Sequence, residues 1–64
     1  MITEFFSKRW DNKHGFNEAE AKEKKAKVDE AHGVGTPASK WSESVIERDP
    51  ERMDGYRIRI STKE

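Results

Sequence analysis

Trp10-Asp11-Asn12-Lys13-His14-Gly15-Phe16 and Val28-Asp29-Glu30-Ala31-His32-Gly33-Val34 share one frame: apolar, Asp, two variable residues, His, Gly, apolar. The reading of this pair decides the fold, because each copy has the form of a helix ending. In a Schellman ending, glycine occupies C′ in the left-handed conformation, and the next residue touches an apolar side chain at C3 or C4. With Gly15 at C′, Phe16 would meet Trp10; with Gly33 at C′, Val34 would meet Val28. A histidine in the last turn favours the negative end of the helix dipole when charged. An aspartate three residues earlier shares its face. Two helices are therefore expected, one ending at His14 and one at His32.

Outward from these stops, residues 3–14 read as a short amphipathic helix. Thr3 caps it, and Ile2, Phe5, Phe6 and Trp10 fall near one face. Asn17 and Glu20 form the Asn version of a capping box for a second helix over 18–32, rich in Ala, Glu and Lys. Glu18–Lys22, Glu20–Lys24 and Glu23–Lys27 are i, i+4 pairs in the favourable orientation. The apolar stripe of this helix is thin, with Ala19, Ala26, Val28 and Ala31 plus Ala21. Residues 33–39 read as an internal linker between a helical and a β half, by their two glycines, one proline and small polar residues. Beyond it, Tyr56-Arg57-Ile58-Arg59-Ile60-Ser61 alternates apolar and polar with period two, the clearest strand signal in the chain. An earlier strand over about 43–48 completes a hairpin with 56–61, with turn signals at Asp49-Pro50 and Asp54-Gly55. A lone hairpin is barely stable in water, so Trp41, Val45, Ile58 and Ile60 are expected to pack on the N-terminal aromatic cluster. The expected fold is a single small α+β domain: two N-terminal helices, a Gly/Pro linker and a C-terminal hairpin.

Composition narrows function. The chain has 64 residues, 31% hydrophobic and 41% charged, with no cysteine to staple a core or supply a thiolate. The 13 basic and 13 acidic residues cancel, whereas a strong non-specific nucleic-acid binder carries a basic excess. The N-terminus shows no signal peptide and no run reaches the length of a membrane span, so an intracellular, cytoplasmic protein without membrane contact is expected.

Candidate chemistry is sparse. Asp11, His14, Asp29 and His32 have the ligand types for zinc, manganese or nickel. Antiparallel helices would hold His14 and His32 roughly 20 Å apart, so such a site would need a dimer. There is no nucleophile elbow, P-loop or dinucleotide fingerprint, and Gly33-Val34-Gly35 reads as a flexible joint. No enzymatic activity and no cofactor are expected. A helix, a Gly-containing turn, a Lys-rich helix (Lys22, Lys24, Lys25, Lys27) and a hairpin bearing Arg57 and Arg59 resemble, in outline, a reduced winged helix-turn-helix. That resemblance implies nucleic-acid binding. Against it, the would-be recognition helix opens Glu18-Ala19-Glu20, which repels phosphates, and alternating arginines on a strand also serve as edge protection.

Four of the six aromatic residues (Phe5, Phe6, Trp10 and Phe16) lie in the first sixteen positions. A thin core, clustered aromatics and balanced charge point to a small interaction protein: an inhibitor, an adaptor or a minor subunit bound to a larger protein. Phe5, Trp10, Trp41, Arg57 and Arg59 are the expected anchors. The small size, Lys/Glu-rich character and lack of cysteine suit a phage or prokaryotic accessory protein.

Overall fold

The alternating stretch near the C-terminus is the middle of the structure. In the computed structural model, which describes residues 1–63, the elements run β1 (Thr3–Phe6), α1 (Glu18–His32), β2 (Trp41–Arg48) and β3 (Tyr56–Thr62). The strands form one sheet in the order β1-β3-β2, with β3 antiparallel to both neighbours. β1 and β2 therefore run the same way on either side of β3, and α1 connects them across one face, as in a split β-α-β unit.

The expected pair of N-terminal helices followed by a hairpin is corrected by this arrangement. The described residues form one helix and a three-stranded antiparallel sheet, still a small α+β fold. Residues 3–14 contain no helix. As a strand, β1 sends its adjacent phenylalanines to opposite faces, as the pleat requires. Phe6 lies opposite Ile58 and packs against the core, while Phe5 lies opposite Arg59 on the other face. Pairing also gives β3 a second hydrogen-bonded neighbour, which a helix over 3–14 would have denied it. Local preference offered little resistance: Ser7, Asp11 and Asn12 are weak helix formers.

α1 carries the expected capping box. Asn17 Oδ1 accepts from the Glu20 amide at 2.8 Å, and Glu20 Oε1 accepts from the Asn17 amide at 3.1 Å. Phe16 and Ala21, flanking the cap at N′ and N4, are both buried in one cluster, as in a hydrophobic staple. The helix stops at Gly33, which is left-handed (φ 63°). Its amide and that of Val34 both reach the Asp29 carbonyl, and Val34 packs beside buried Val28. The second copy of the repeated frame is thus a helix stop.

The first copy is not. Gly15 does not adopt a positive φ. It is needed for a backbone crossing: a Cβ there would lie 2.7 Å from the Tyr56 carbonyl oxygen and 2.8 Å from the Tyr56 nitrogen. Gly55 (φ +92°) stands against it, and a Cβ on Gly55 would lie 2.6 Å from Gly15 Cα. Backbone bonds stitch the crossing together: Gly15 N–H to the Asp54 carbonyl at 2.7 Å, and a reciprocal Phe16–Tyr56 pair at 2.9 Å each way. The segment before α1 is consequently fastened to the loop between β2 and β3.

That loop has its own organiser. The Arg48 guanidinium donates to the carbonyls of Asp49, Arg52, Met53 and Gly55, and Arg52 reaches back to the carbonyls of Asp11 and Lys8. One charged side chain so gathers four carbonyls of an irregular loop, two of which, Asp49 and Gly55, also accept a backbone amide, a use of charge-assisted donors that ties the loop together. Residues 33–36 and Ser39 are also hydrogen-bonded. Ser39 Oγ donates to the His32 carbonyl at 2.7 Å and accepts from the Trp41 amide at 3.1 Å. This turn folds α1 back onto β2 and β3. Phe16, Ala21, Val28, Trp41, Ile58 and Ile60 fill the space between helix and sheet. The molecule measures 36 × 21 × 15 Å, one helix layer on one sheet layer.

Candidate functional site

The expected anchor residues separate into three environments. Trp41 is buried (6% exposed). Its ring meets the edge of His32, which in turn meets Phe6. Its assignment to a binding surface is corrected: it is the first residue of β2 and faces the helix, so it closes the core where α1 ends.

Phe5, Arg57 and Arg59 lie on the sheet face turned away from α1. They are not edge protection, because β3 is the central strand. Arg57 Cζ stands 3.9 Å from the centre of the Phe5 ring. Glu47, directly opposite Arg57 in the ladder, places Oε1 3.5 Å from Arg57 Nε and 3.3 Å from Arg59 Nε. Neither approach has hydrogen-bond alignment, so one carboxylate serves two guanidinium groups by charge alone. The row Phe5–Arg57–Glu47–Arg59 is paired by charge, yet Glu47 Oε1, Arg57 Nε and Arg59 Nε are buried without a hydrogen-bond partner, and the Arg57 side chain is only 15% exposed.

Trp10 differs from both. It is 74% exposed, yet its ring is held. The Phe16 ring meets it edge-on at 6.1 Å, and Lys8 Nζ lies 5.6 Å from its centre. Lys8 is fixed by an ion pair to Glu20 at 3.1 Å, and Glu20 is the capping-box carboxylate. The expected Glu20–Lys24 pair is therefore not made, although Glu18–Lys22 and Glu23–Lys27 are. Lys24 instead stands 5.9 Å from the centre of the Phe6 ring. Between Trp10 and the start of α1 runs a groove of about 550 Å³, lined by Phe5, Phe6, Phe16 and Trp10 with Arg9 and Lys24. Among the described residues neither Arg9 nor Lys24 has an ion-pair partner. Sequence reasoning missed Arg9, Lys24, Phe6 and Phe16 as a set, since the Lys8–Glu20 pair that frees Lys24 joins segments whose proximity only the fold creates.

The histidine motifs part company. His14 Nδ1 lies 2.7 Å from Asp54 Oδ1 at the surface, whereas His32 donates from Nδ1 to the Val28 carbonyl at 3.1 Å. Asp29 pairs with Lys25 and accepts from the Ser44 hydroxyl. Asp11 accepts from the Lys13 and His14 amides at 2.8 and 3.0 Å. The four weak metal candidates are thus not brought together, and no cluster of three or more ligating side chains occurs among the described residues. No helix among them is long and apolar enough to cross a membrane. The winged-helix outline also lapses, because its first helix is a strand.

Two carboxylates beside the groove are perturbed. The His14 and then the Lys13 amide hold Asp11 below the ordinary carboxylate pKa. The Asn17 amide, then Lys8, do the same for Glu20. A group whose pKa is lower folded than unfolded adds stability that is complete above its unfolded value and disappears as pH falls through its folded one. The urea midpoint is accordingly expected to fall as pH drops below about 4, the ordinary range for these groups. Asp11→Asn and Glu20→Gln should each flatten that fall while lowering the midpoint at pH 7. A wild-type midpoint flat down to pH 3 would contradict this.

No protein-family model, no curated protein and no solved structure matches this chain.

Proposed function

We propose that this protein is a small non-enzymatic interaction module that docks on a larger protein through the surface around Trp10. One observation carries the reading. A tryptophan is left mostly in solvent, with the Phe16 ring at its edge and Lys8 beside its face. An exposed tryptophan buries a large area on binding and has only two side-chain torsions to fix, which is why Trp is enriched among residues that dominate interfaces. Phe5, 49% exposed at the neighbouring strand, extends the apolar surface. The molecule is 15 Å across its thinnest axis, so it offers surfaces rather than an enclosed, desolvated chamber of the kind acid–base chemistry uses.

The test is affinity capture with the immobilised chain and with Trp10→Ala. A single partner protein recovered in stoichiometric amount by the wild type is expected, and reduced at least tenfold by Trp10→Ala. The variant should keep its urea midpoint to within about 0.5 kcal/mol of stability, as an exposed position allows. Equal capture by both proteins would remove Trp10 from the interface. Salt-sensitive retention on oligonucleotides with no protein captured would replace the reading with nucleic-acid binding.

A further inference from the structure

We infer that the groove beside Trp10 takes an acidic peptide segment with an aromatic or aliphatic anchor, presented by the partner; this rests on the interaction reading above. The groove has two chemical parts. Its walls are mainly the aromatic residues Phe6, Phe16 and Trp10, with Phe5 at the strand edge. At 550 Å³ it is within the range of sites that hold one or two side chains rather than a folded domain. Its charged members are cations only, Arg9 and Lys24, and both lack a carboxylate partner among the described residues. Elsewhere on α1 the lysines are neutralised: Lys22 by Glu18, Lys25 by Asp29 and Lys27 by Glu23. Two cations without a carboxylate partner thus stand beside an exposed tryptophan on a molecule whose net charge is zero. An apolar side chain would enter between the rings, and one or two carboxylates of the same peptide would meet Arg9 and Lys24.

Charge favours a peptide over a nucleic acid. A second groove, which shares Trp10, Phe16 and Lys24 with the first, runs along the helix and is lined there by Glu20, Glu23 and Lys27. A backbone carrying a phosphate at each nucleotide would run into those carboxylates. A peptide with a local acidic cluster would not, and two free cations match a small number of carboxylates. Complementarity of this kind sets partner choice and encounter rate more than total affinity.

The experiment is selection of a randomised peptide library on the immobilised full chain, followed by calorimetric titration of synthesised winners. The expected winners place Asp or Glu next to Trp, Phe or Leu. Their affinity should fall about tenfold or more for the double variant Arg9→Glu/Lys24→Glu, as reversed rim charge implies, and also for Trp10→Ala. The urea midpoints of all variants are measured alongside, and the charge reversal is repeated as Arg9→Gln/Lys24→Gln, which should give an intermediate loss. Winners that compete at Trp10 but are basic or uncharged, or that ignore the charge reversal, overturn the inference and leave the interaction reading standing. No enrichment overturns the inference, and affinity capture then decides the broader reading separately. Binding of a single-stranded oligothymidylate at the groove, with no peptide enriched, overturns both.

Discussion

Gly55→Ala is expected to lower the unfolding free energy by about 3 kcal/mol, from a positive-φ penalty together with forced repacking of backbone. The new Cβ would lie 2.6 Å from Gly15 Cα and 2.7 Å from Gly15 N, with no flexible side chain there to yield. Either the crossing opens, releasing the Gly15–Asp54 and Phe16–Tyr56 bonds, or β3 shifts at its first residue. Gly35→Ala supplies the control. Gly35 also has a positive φ, +84°, but nothing lies within 4 Å of its Cβ position. It should lose only about 1–2 kcal/mol, the conformational part alone. Urea titrations of the two variants measure the difference, which belongs to the crossing. Equal losses would mean that the crossing adds nothing to stability. A 64-residue chain at ordinary values per residue has about 3–10 kcal/mol in total, so Gly55→Ala should remove between a third and nearly all of it.

Ile58→Ala is the second large effect, expected at about 2–5 kcal/mol. Ile58 is fully buried at the middle of β3, opposite Phe6 on one side and Ile46 on the other. Both flanking strands are edges, and a helix lies above, so the vacated volume is bordered on three sides by groups that are themselves tied down. Ile58→Val should lose only about 1 kcal/mol, since one methylene leaves a smaller void. Ile46→Ala, at a partly buried site, should fall between them. Chemical denaturation with far-ultraviolet circular dichroism checks the ranking. A loss below 1 kcal/mol for Ile58→Ala would show that the apolar face of the sheet is not the centre of the fold.

What was legible in the sequence follows the range of the forces involved. The Asn17–Glu20 cap and the Gly33 stop are satisfied by bonds within four or five residues, and α1 occupies Glu18–His32 between them. The period-two run at Tyr56–Ser61 has β3 as its counterpart, because alternation is imposed by the pleat itself. The first sixteen residues were misread for the same reason in reverse. Phe6 and Trp10 are spaced like a helical pair, but their partners are Ile58 and Phe16, and the strand exists only because β3 has a free edge to offer. Two adjacent phenylalanines after a β-branched threonine were the signal available for it. The frame shared by Trp10–Phe16 and Val28–Val34 has two different uses: at Gly33 for a left-handed stop, at Gly15 for the absence of a Cβ beside another backbone. Of the candidate anchors, Trp10 and Phe5 are at the surface, and Trp41 went inside because its position at the start of β2 sets it under His32. The free cation Lys24 could not be read at all, since its freedom depends on Lys8 having captured Glu20 from twelve residues away.

The strand order also sets a timetable. β3 is synthesised last of the three strands but belongs between the other two, and Ile2 bonds to Thr62 across sixty residues of sequence. During translation, neither β1 nor β2 has a strand neighbour and α1 has no complete sheet to lie on until residues 56–62 have left the ribosome. At the usual rate of elongation this lasts a few seconds. Such distant pairing slows the search for the native state relative to local helical contacts. In that interval the apolar residues of β1 and β2 are open to chaperones and to one another's bare edges.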